Sequence, residues 1–93
     1  MDITVSELLK KKNVNIIDIR SKHRYLMGHI PGAISIDAES LLFYTDRYLK
    51  KDEIYYIYCD SGMRSKILVK KLISKGYSAI SVFGGYNNYL LIK

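Results

Sequence analysis

Residues 54–76 read IYYIYCDSGMRSKILVKKLISKG and contain the clearest strand and helix signals of the chain. The first five residues of this stretch, Ile54–Tyr58, are all β-branched or aromatic and predict a buried strand. From Ser65 to Lys75 apolar residues recur at helical spacing, lysines take the other face, and Gly76 supplies a left-handed cap. A short loop therefore joins the carboxyl end of a strand to the amino end of a helix, which is where α/β folds bind ligands.

The rest of the chain repeats this alternation of short β-rich runs and longer helical segments. Three further runs predict strands: Asn15–Ile19, Ala33–Ile36 and Ala79–Phe83. Helical patterns cover residues 6–12 and about 38–49, and residues 86–92 have room for a short terminal helix. The alternation predicts one α/β domain over residues 1–93 with a largely parallel sheet.

Composition limits the class of protein further. The 93 residues are 48% apolar, which is enough for one core and too little for two. The single cysteine, Cys59, can form no disulfide within the chain, and the first residues carry no secretory pattern. We therefore expect a cytoplasmic protein that spans no membrane.

The net charge of +6 attracts anions without identifying them. Its lysines are dispersed along the chain, and no basic-aromatic motif of RNA-binding type accompanies them. A solvated lysine-rich surface is the better interpretation, so we expect no nucleic-acid partner. The sequence does not specify an oligomeric state.

The loop after Ile54–Tyr58 carries the candidate chemistry. A thiol at a strand end that feeds a helix faces the positive end of the helix dipole and a ring of backbone N–H groups, expected here from Asp60 to Ser65. In such settings the pKa of a cysteine falls from about 8.5 to between ~3.5 and ~7.5, so we expect Cys59 to be a nucleophile. Gly62 relieves crowding around the sulfur, Arg64 adds a fixed positive charge, and the carboxylate of Asp60 is expected to point away from the thiolate.

The alternative is that Cys59 is a packed apolar residue, as free cysteines often are. The polar and charged residues that follow it, from Asp60 to Arg64, argue against a purely apolar site.

The same residues resemble a known family. The run Cys59-Asp60-Ser61-Gly62-Met63-Arg64-Ser65 is similar to the active-site loop of single-domain rhodaneses, written Cys-x-x-Gly-x-Arg-Ser. The motifs Asp18-Ile19-Arg20, Gly28–Ala33 and Val82–Tyr86 follow in the order and at the spacing typical of that family. The resemblance covers nearly the whole chain and implies a rhodanese-like fold, with four to five mostly parallel strands and helices on both faces.

The resemblance implies sulfurtransferase activity. Cys59 would take a sulfane sulfur from thiosulfate or a persulfide, hold it as a persulfide, and pass it to a thiophilic acceptor. No metal or cofactor is implied, and the partners would be a small anionic donor or persulfide carrier and an acceptor that can be a protein. The loop residues that would surround the substrate are Asp60, Ser61, Gly62, Met63, Arg64 and Ser65.

Two other functions fit the same loop less well. Cysteine-dependent phosphatases place one more residue between the cysteine and the arginine, so this smaller ring suits a single sulfur atom better than a phosphoryl group. A non-catalytic rhodanese module for protein interaction or regulation is the other alternative. The retention of Cys59 within a complete loop counts against it.

Residues outside the loop have weaker signals. Arg24 stands where rhodaneses commonly carry an acidic residue, and it is a candidate contact for thiosulfate. A solvated arginine on a surface helix is the preferred interpretation, because surface charges usually contribute little. We interpret Asp18 and Arg20 as structural, expect His29 to satisfy backbone groups in its turn, and expect His23 to be exposed.

Overall fold

The computed structural model describes residues 2–93, and five strands in this part of the chain form one parallel sheet. The strands are β1 (Asp2–Ile3), β2 (Asn15–Asp18), β3 (Ala33–Ser35), β4 (Ile54–Tyr58) and β5 (Ser78–Val82). Their order across the sheet is β1-β5-β4-β2-β3, so β4 lies at the centre. The helices are α1 (Val5–Leu9), α2 (Lys22–Met27), α3 (Ala38–Phe43), α4 (Thr45–Tyr48), α5 (Met63–Ser74) and α6 (Gly85–Ile92).

The sequence patterns predicted this α/β architecture. Each of the four predicted strands is present with its ends displaced by at most one residue. The fifth strand, β1, was not assigned, because two residues are too few to show an alternating pattern. It joins the sheet through its parallel register with β5, and the amide of Phe83 donates to the carbonyl of Ile3 at 2.8 Å.

The helices differ from the prediction at several points. The helix predicted over residues 6–12 ends at Leu9, since the chain leaves helical geometry after Lys10 and turns at Asn13 with φ 57°. The helix predicted from Ser65 already begins at Met63, directly after the left-handed Gly62.

The single segment predicted over about residues 38–49 is two helices, because the backbone leaves helical geometry at Tyr44 (φ −124°, ψ 40°). The helix α2 was expected only as a surface helix that carries Arg24, without bounds. None of its residues is buried, so it lacks the apolar face by which a surface helix is recognised.

Helices cover both faces of the sheet, as expected. Along β4 and into the loop, Tyr55, Ile57 and Cys59 belong to one core cluster, while Tyr56 and Tyr58 belong to the other. The first cluster includes residues of α3 and α5, and the second packs against residues of α1, α2 and α6. The alternation of side chains along a strand therefore sends the consecutive residues Tyr58 and Cys59 to opposite faces.

Within residues 2–93 there is no helix with the length and apolar character needed to cross a membrane.

Candidate active site

The cysteine lies where the sequence placed it, immediately after β4 and before α5. Its side chain is almost completely buried, with 1% of its surface exposed. Gly62 precedes the first residue of α5 and adopts a left-handed conformation with φ 95°. The loop from Cys59 to Gly62 thus turns the chain back so that the amino end of the helix faces the sulfur, the end that favours negative charge.

Two backbone amides point at the sulfur. The N–H of Gly62 donates to Cys59 Sγ at 3.2 Å, and the N–H of Ser65 donates to it at 3.4 Å. The expectation was a ring of amides drawn from the whole loop, and the amide of Met63 is instead directed at Ser61 Oγ, 3.4 Å away. The sulfur therefore rests on a pair of donors at the helix end, and hydrogen bonds of this kind stabilise a thiolate relative to a thiol.

A glycine is required at position 62 for two reasons. Its backbone lies in the left-handed region that other residues rarely adopt. A Cβ there would also lie 2.9 Å from the backbone nitrogen of Gly84 and 3.3 Å from the carbonyl oxygen of Val82. The crowding that a side chain at position 62 would cause is therefore with Val82 and Gly84, whereas the sequence led us to expect it around the sulfur.

Two buried serines lie behind the sulfur. The hydroxyl of Ser65 is 3.7 Å from Cys59 Sγ and donates to the carbonyl of Gly62 at 3.2 Å. It also forms a hydrogen bond of 2.8 Å with the hydroxyl of Ser81, at the end of β5. Ser81 was not identified from the sequence, because a lone serine in a strand gives no signal until the fold places it beside the loop. These contacts make the environment of Cys59 polar on one side, which is inconsistent with a purely apolar packed thiol.

The turn between β5 and α6 supports the loop from outside. The amide of Tyr86 donates to the carbonyl of Cys59 at 2.9 Å, and the amide of Asn87 donates to the carbonyl of Asp60 at 3.0 Å. A Cβ on Gly85 would lie 2.3 Å from the carbonyl oxygen of Cys59. In the sequence these glycines were noted only as part of the Val82–Tyr86 motif, so this supporting role was not predicted. The close spacing of two glycines before a helix was its one available signal.

The side chains of Asp60 and Arg24 form an ion pair beside the loop. Arg24 Nη2 lies 3.2 Å from Asp60 Oδ1, and Arg20 Nη1 lies 3.8 Å from the same oxygen. Arg24 is 60% exposed and comes from α2. The preferred interpretation of Arg24 as a merely solvated arginine was therefore incomplete, because its guanidinium group faces the residue that follows Cys59.

Asp18 and Arg20 have the structural role predicted for them. Arg20 donates to both carboxylate oxygens of Asp18 at 2.7 to 3.1 Å and to the carbonyl of Gly28 at 2.6 Å. The hydroxyl of Tyr58 donates to Asp18 Oδ2 at 2.6 Å and accepts the amide of Ile30 at 3.0 Å. This buried network fixes the ends of β2 and β4 against the loop that contains Gly28.

Burial and hydrogen bonding shift the pKa values in this network. Burial and the hydrogen bond to Asp18 raise the pKa of Tyr58 well above its usual range, because both favour the neutral hydroxyl. Burial opposes the charge on Arg20, yet its hydrogen bonds and ion pair with Asp18 outweigh this and raise the pKa of Arg20. The network therefore holds one negative and one positive charge beside a neutral phenol.

The remaining predicted residues lie on the surface of the Cys59 loop and at the start of α5. Ser61, Met63 and Arg64 are exposed, and Arg64 lines a groove between α3 and α5 with Phe43 and Ile67. Their contact with a substrate stays a prediction. Outside the loop, His29 Nδ1 lies 2.9 Å from the carbonyl oxygen of Tyr25 and His23 is exposed, as predicted.

Comparison with known proteins identifies relatives over nearly the whole chain. The description "Rhodanese-like domain" matches residues 3–91. Thiosulfate sulfurtransferase GlpE of Coxiella burnetii is 27% identical over 84 residues, which make up 89% of this chain and 78% of that protein. The adenylyltransferase and sulfurtransferase uba4 of Ogataea parapolymorpha is 28% identical over 88 residues, which make up 94% of this chain and only 23% of that protein.

A solved structure gives the same result. The crystal structure of a rhodanese-like domain protein from Staphylococcus aureus is 38% identical and superposes with a TM-score of 0.79. The match covers 91% of this chain and 87% of that one.

Proposed function

The chain belongs to the rhodanese-like domain family, and we propose that it is a sulfurtransferase in which Cys59 carries the transferred sulfur as a persulfide. The observation that carries the proposal is the pair of amides, from Gly62 and Ser65, directed at Cys59 Sγ at the amino end of α5. Related proteins named as sulfurtransferases support it.

The reaction consists of two displacements at sulfur. The thiolate of Cys59 attacks the outer sulfur of thiosulfate, a new S–S bond forms, and sulfite leaves with the electron pair of the broken bond. A nucleophilic acceptor then attacks the terminal sulfur of the persulfide, and the thiolate of Cys59 leaves and is regenerated. A covalent intermediate divides one transfer into two easier steps.

The amide pair has a role in both steps. It stabilises the thiolate before attack and again when the thiolate is the leaving group, because both states place negative charge on the same sulfur. The donors are fixed by the backbone before the reaction begins, so no reorganisation is needed to form them.

The positive charge near the Cys59 loop is suited to an anionic sulfur donor. Arg64 and Arg24 are both exposed near the loop, and we propose that the loop residues 60–65 and these arginines attract thiosulfate or a persulfide carrier. The acceptor can be a small nucleophile or a thiol on a protein. We propose that the chain acts without a metal or an organic cofactor, since sulfur displacement requires neither.

The experiment is a thiosulfate and cyanide assay that follows thiocyanate. We expect turnover by the parent and a loss of at least about a thousandfold in Cys59→Ser, because the nucleophile is removed. Mass spectrometry should show one added sulfur atom on the parent after thiosulfate treatment and none on Cys59→Ser. Absence of both signals in a folded parent, with a protein persulfide tested as a second donor, would overturn the proposal.

One observation favours a second function. Cys59 is only 1% exposed, which is also what a non-catalytic interaction module would show. Alkylation by iodoacetamide distinguishes the two, because a catalytic thiolate must be reached by small reagents. The non-catalytic function would be supported if the folded parent were alkylated far more slowly than the unfolded parent and formed no persulfide.

A further inference from the structure

The carboxylate of Asp60 is held by charge and not by hydrogen bonds. Its Oδ1 atom is buried, and no hydrogen-bond donor within residues 2–93 is directed at it. Arg24 and Arg20 lie 3.2 and 3.8 Å from that oxygen, without the alignment of a hydrogen bond. A buried carboxylate oxygen of this kind depends on its counter-ions.

The two arginines are not equivalent. Arg20 is 3% exposed and already bonded to Asp18 and Gly28, and its guanidinium group stacks 3.9 Å from the ring centre of Tyr86. Arg24 is 60% exposed, and Asp60 is its ion-pair partner in the described part of the chain. Arg24 is therefore the counter-ion that serves Asp60 alone.

The position of this pair matters because Asp60 follows Cys59 directly. A negative charge near the sulfur disfavours the thiolate, so a carboxylate free to rotate there would lower the reactivity of Cys59. A positive residue at 24 suits this place, because a negative one would face a second negative group in Asp60.

We propose that Arg24 is a positioning residue: its ion pair with Asp60 fixes and neutralises the carboxylate next to Cys59 and thereby maintains the thiolate. The role is separate from any contact between Arg24 and a substrate. It concerns the reactivity of the thiol alone, so it is tested without sulfur transfer.

The test measures alkylation of Cys59 by iodoacetamide, a neutral reagent, between pH 5 and pH 10. In Arg24→Gln we expect the pH at which the rate is half-maximal to rise by about one unit, which lowers the rate near neutral pH about tenfold. In Asp60→Asn the half-maximal pH should fall or stay unchanged. In the double variant the shift caused by Arg24→Gln should shrink to less than about a third of a unit, because no carboxylate remains to be held.

Two further variants separate positioning from other effects. Arg47→Gln removes an equal charge from an exposed arginine of α4 that lies over the ring of Tyr44, and we expect it to leave the pH profile unchanged. The charge exchange Arg24→Asp with Asp60→Arg restores an ion pair in the opposite sense and should return the half-maximal pH to the parent value or below. Circular dichroism and thermal unfolding confirm that each variant is folded.

The outcomes decide the proposal in both directions. An unchanged profile in Arg24→Gln overturns it. So does an equal shift in the Asp60→Asn background, because Arg24 would then act through its own field and not through Asp60. The measurement is independent of transferase activity: a parent without turnover that shows the predicted coupling would reject the proposed function and retain this inference.

Discussion

Tyr58 and Cys59 are consecutive residues at the end of the central strand, and they enter two different polar environments. On one face, Tyr58 joins Asp18 and Arg20 in a network of side chains in which the charges are paired and the hydroxyl both donates and accepts. On the other face, Cys59 meets backbone amides of Gly62 and Ser65. The same strand end therefore has a structural side and a chemical side.

The difference shows how a small domain separates stability from reactivity. The network around Tyr58 contains ionised groups that bind each other, so little of its charge is available to a substrate. The amides of Gly62 and Ser65 form only weak hydrogen bonds to a neutral thiol, because a thiol is a poor acceptor. They bind a thiolate more strongly, because a thiolate is a good acceptor. Asp60 connects the two sides, because it follows Cys59 and lies near Arg20.

Removing the Asp18 carboxylate from the buried network around Tyr58 should have the largest effect on stability. We expect Asp18→Ala to lower the free energy of unfolding by about 3–5 kcal/mol, because Arg20 would be left buried without its partner. Urea denaturation measures the change, and Asp52→Ala, an exposed aspartate, should stay within about 0.5 kcal/mol. A loss below about 1 kcal/mol in Asp18→Ala would contradict the structural role of the network.

A substitution in the turn that supports the Cys59 loop should affect both stability and activity. In Gly85→Ala the new Cβ would meet the carbonyl oxygens of Cys59 and Asp60 at 2.3 and 2.7 Å, so the loop must shift. We expect a loss of about 2–3 kcal/mol and a fall in sulfur transfer of about a hundredfold, since a displacement of about 1 Å suffices for that.

Gly32→Ala is the matched control for that substitution. Gly32 also has a positive φ, of 88°, but nothing lies within 4 Å of its added Cβ. It should cost about 1–2 kcal/mol through backbone strain and leave transfer unchanged. Equal losses of activity in the two variants would show that the contact with the Cys59 loop is not what matters.

A pH titration tests whether the buried hydroxyl of Tyr58 stays protonated in the folded protein. The pKa of Tyr58 is raised in the folded state, so its contribution to stability is present below the unfolded pKa of about 10 and is lost as the pH rises above it. The unfolded chain releases that proton while the folded chain keeps it. The parent should therefore lose up to about 1.4 kcal/mol per pH unit above pH ~10 from this group alone.

Tyr58→Phe isolates that contribution. At pH 8 we expect the variant to be less stable than the parent by about 1–3 kcal/mol, because Asp18 and the amide of Ile30 lose a hydrogen-bond partner. Between pH 10 and pH 11 the difference should narrow. Urea midpoints measured from pH 8 to pH 11 provide the test, and a constant difference would show that Tyr58 ionises as readily in the folded protein.

The smallest expected effect is at the serine pair behind the sulfur. Ser81→Ala removes the hydroxyl that bonds to Ser65 and should cost about 1 kcal/mol. Ser78→Ala, at an exposed position of the same strand, should change the free energy of unfolding by less than about 0.5 kcal/mol. Indistinguishable urea midpoints for the two variants would mean that the buried hydrogen bond contributes nothing.

Much of the fold followed from local pattern. The four longer strands and α5 carry their own signals, because strand period, helix period and the Gly76 cap are properties of neighbouring residues. The two-residue strand β1 and the polar helix α2 carry none, since both depend on what they pack or pair against. Their assignment required the sheet order and the position of the loop after β2.

The site divides in the same way. The position of Cys59 at a strand end and the structural role of Asp18 with Arg20 were predictable, because each depends on residues close in sequence or on a motif. A glycine at 62 was predictable from the turn, but its close approach to Val82 and Gly84 was not. Ser81, Gly85 and the partnership of Arg24 with Asp60 join residues 16 or more positions apart. No local pattern encodes such contacts.

Local sequence patterns were enough to predict an α/β chain whose lone thiol lies between a strand and a helix, because side-chain period and turn chemistry act over a few residues. Which amides reach the sulfur, which glycine supports the loop and which arginine faces the aspartate beside it follow only from the folded structure. Those contacts follow from the order of strands in the sheet, and that order brings together parts of the chain that the sequence keeps apart.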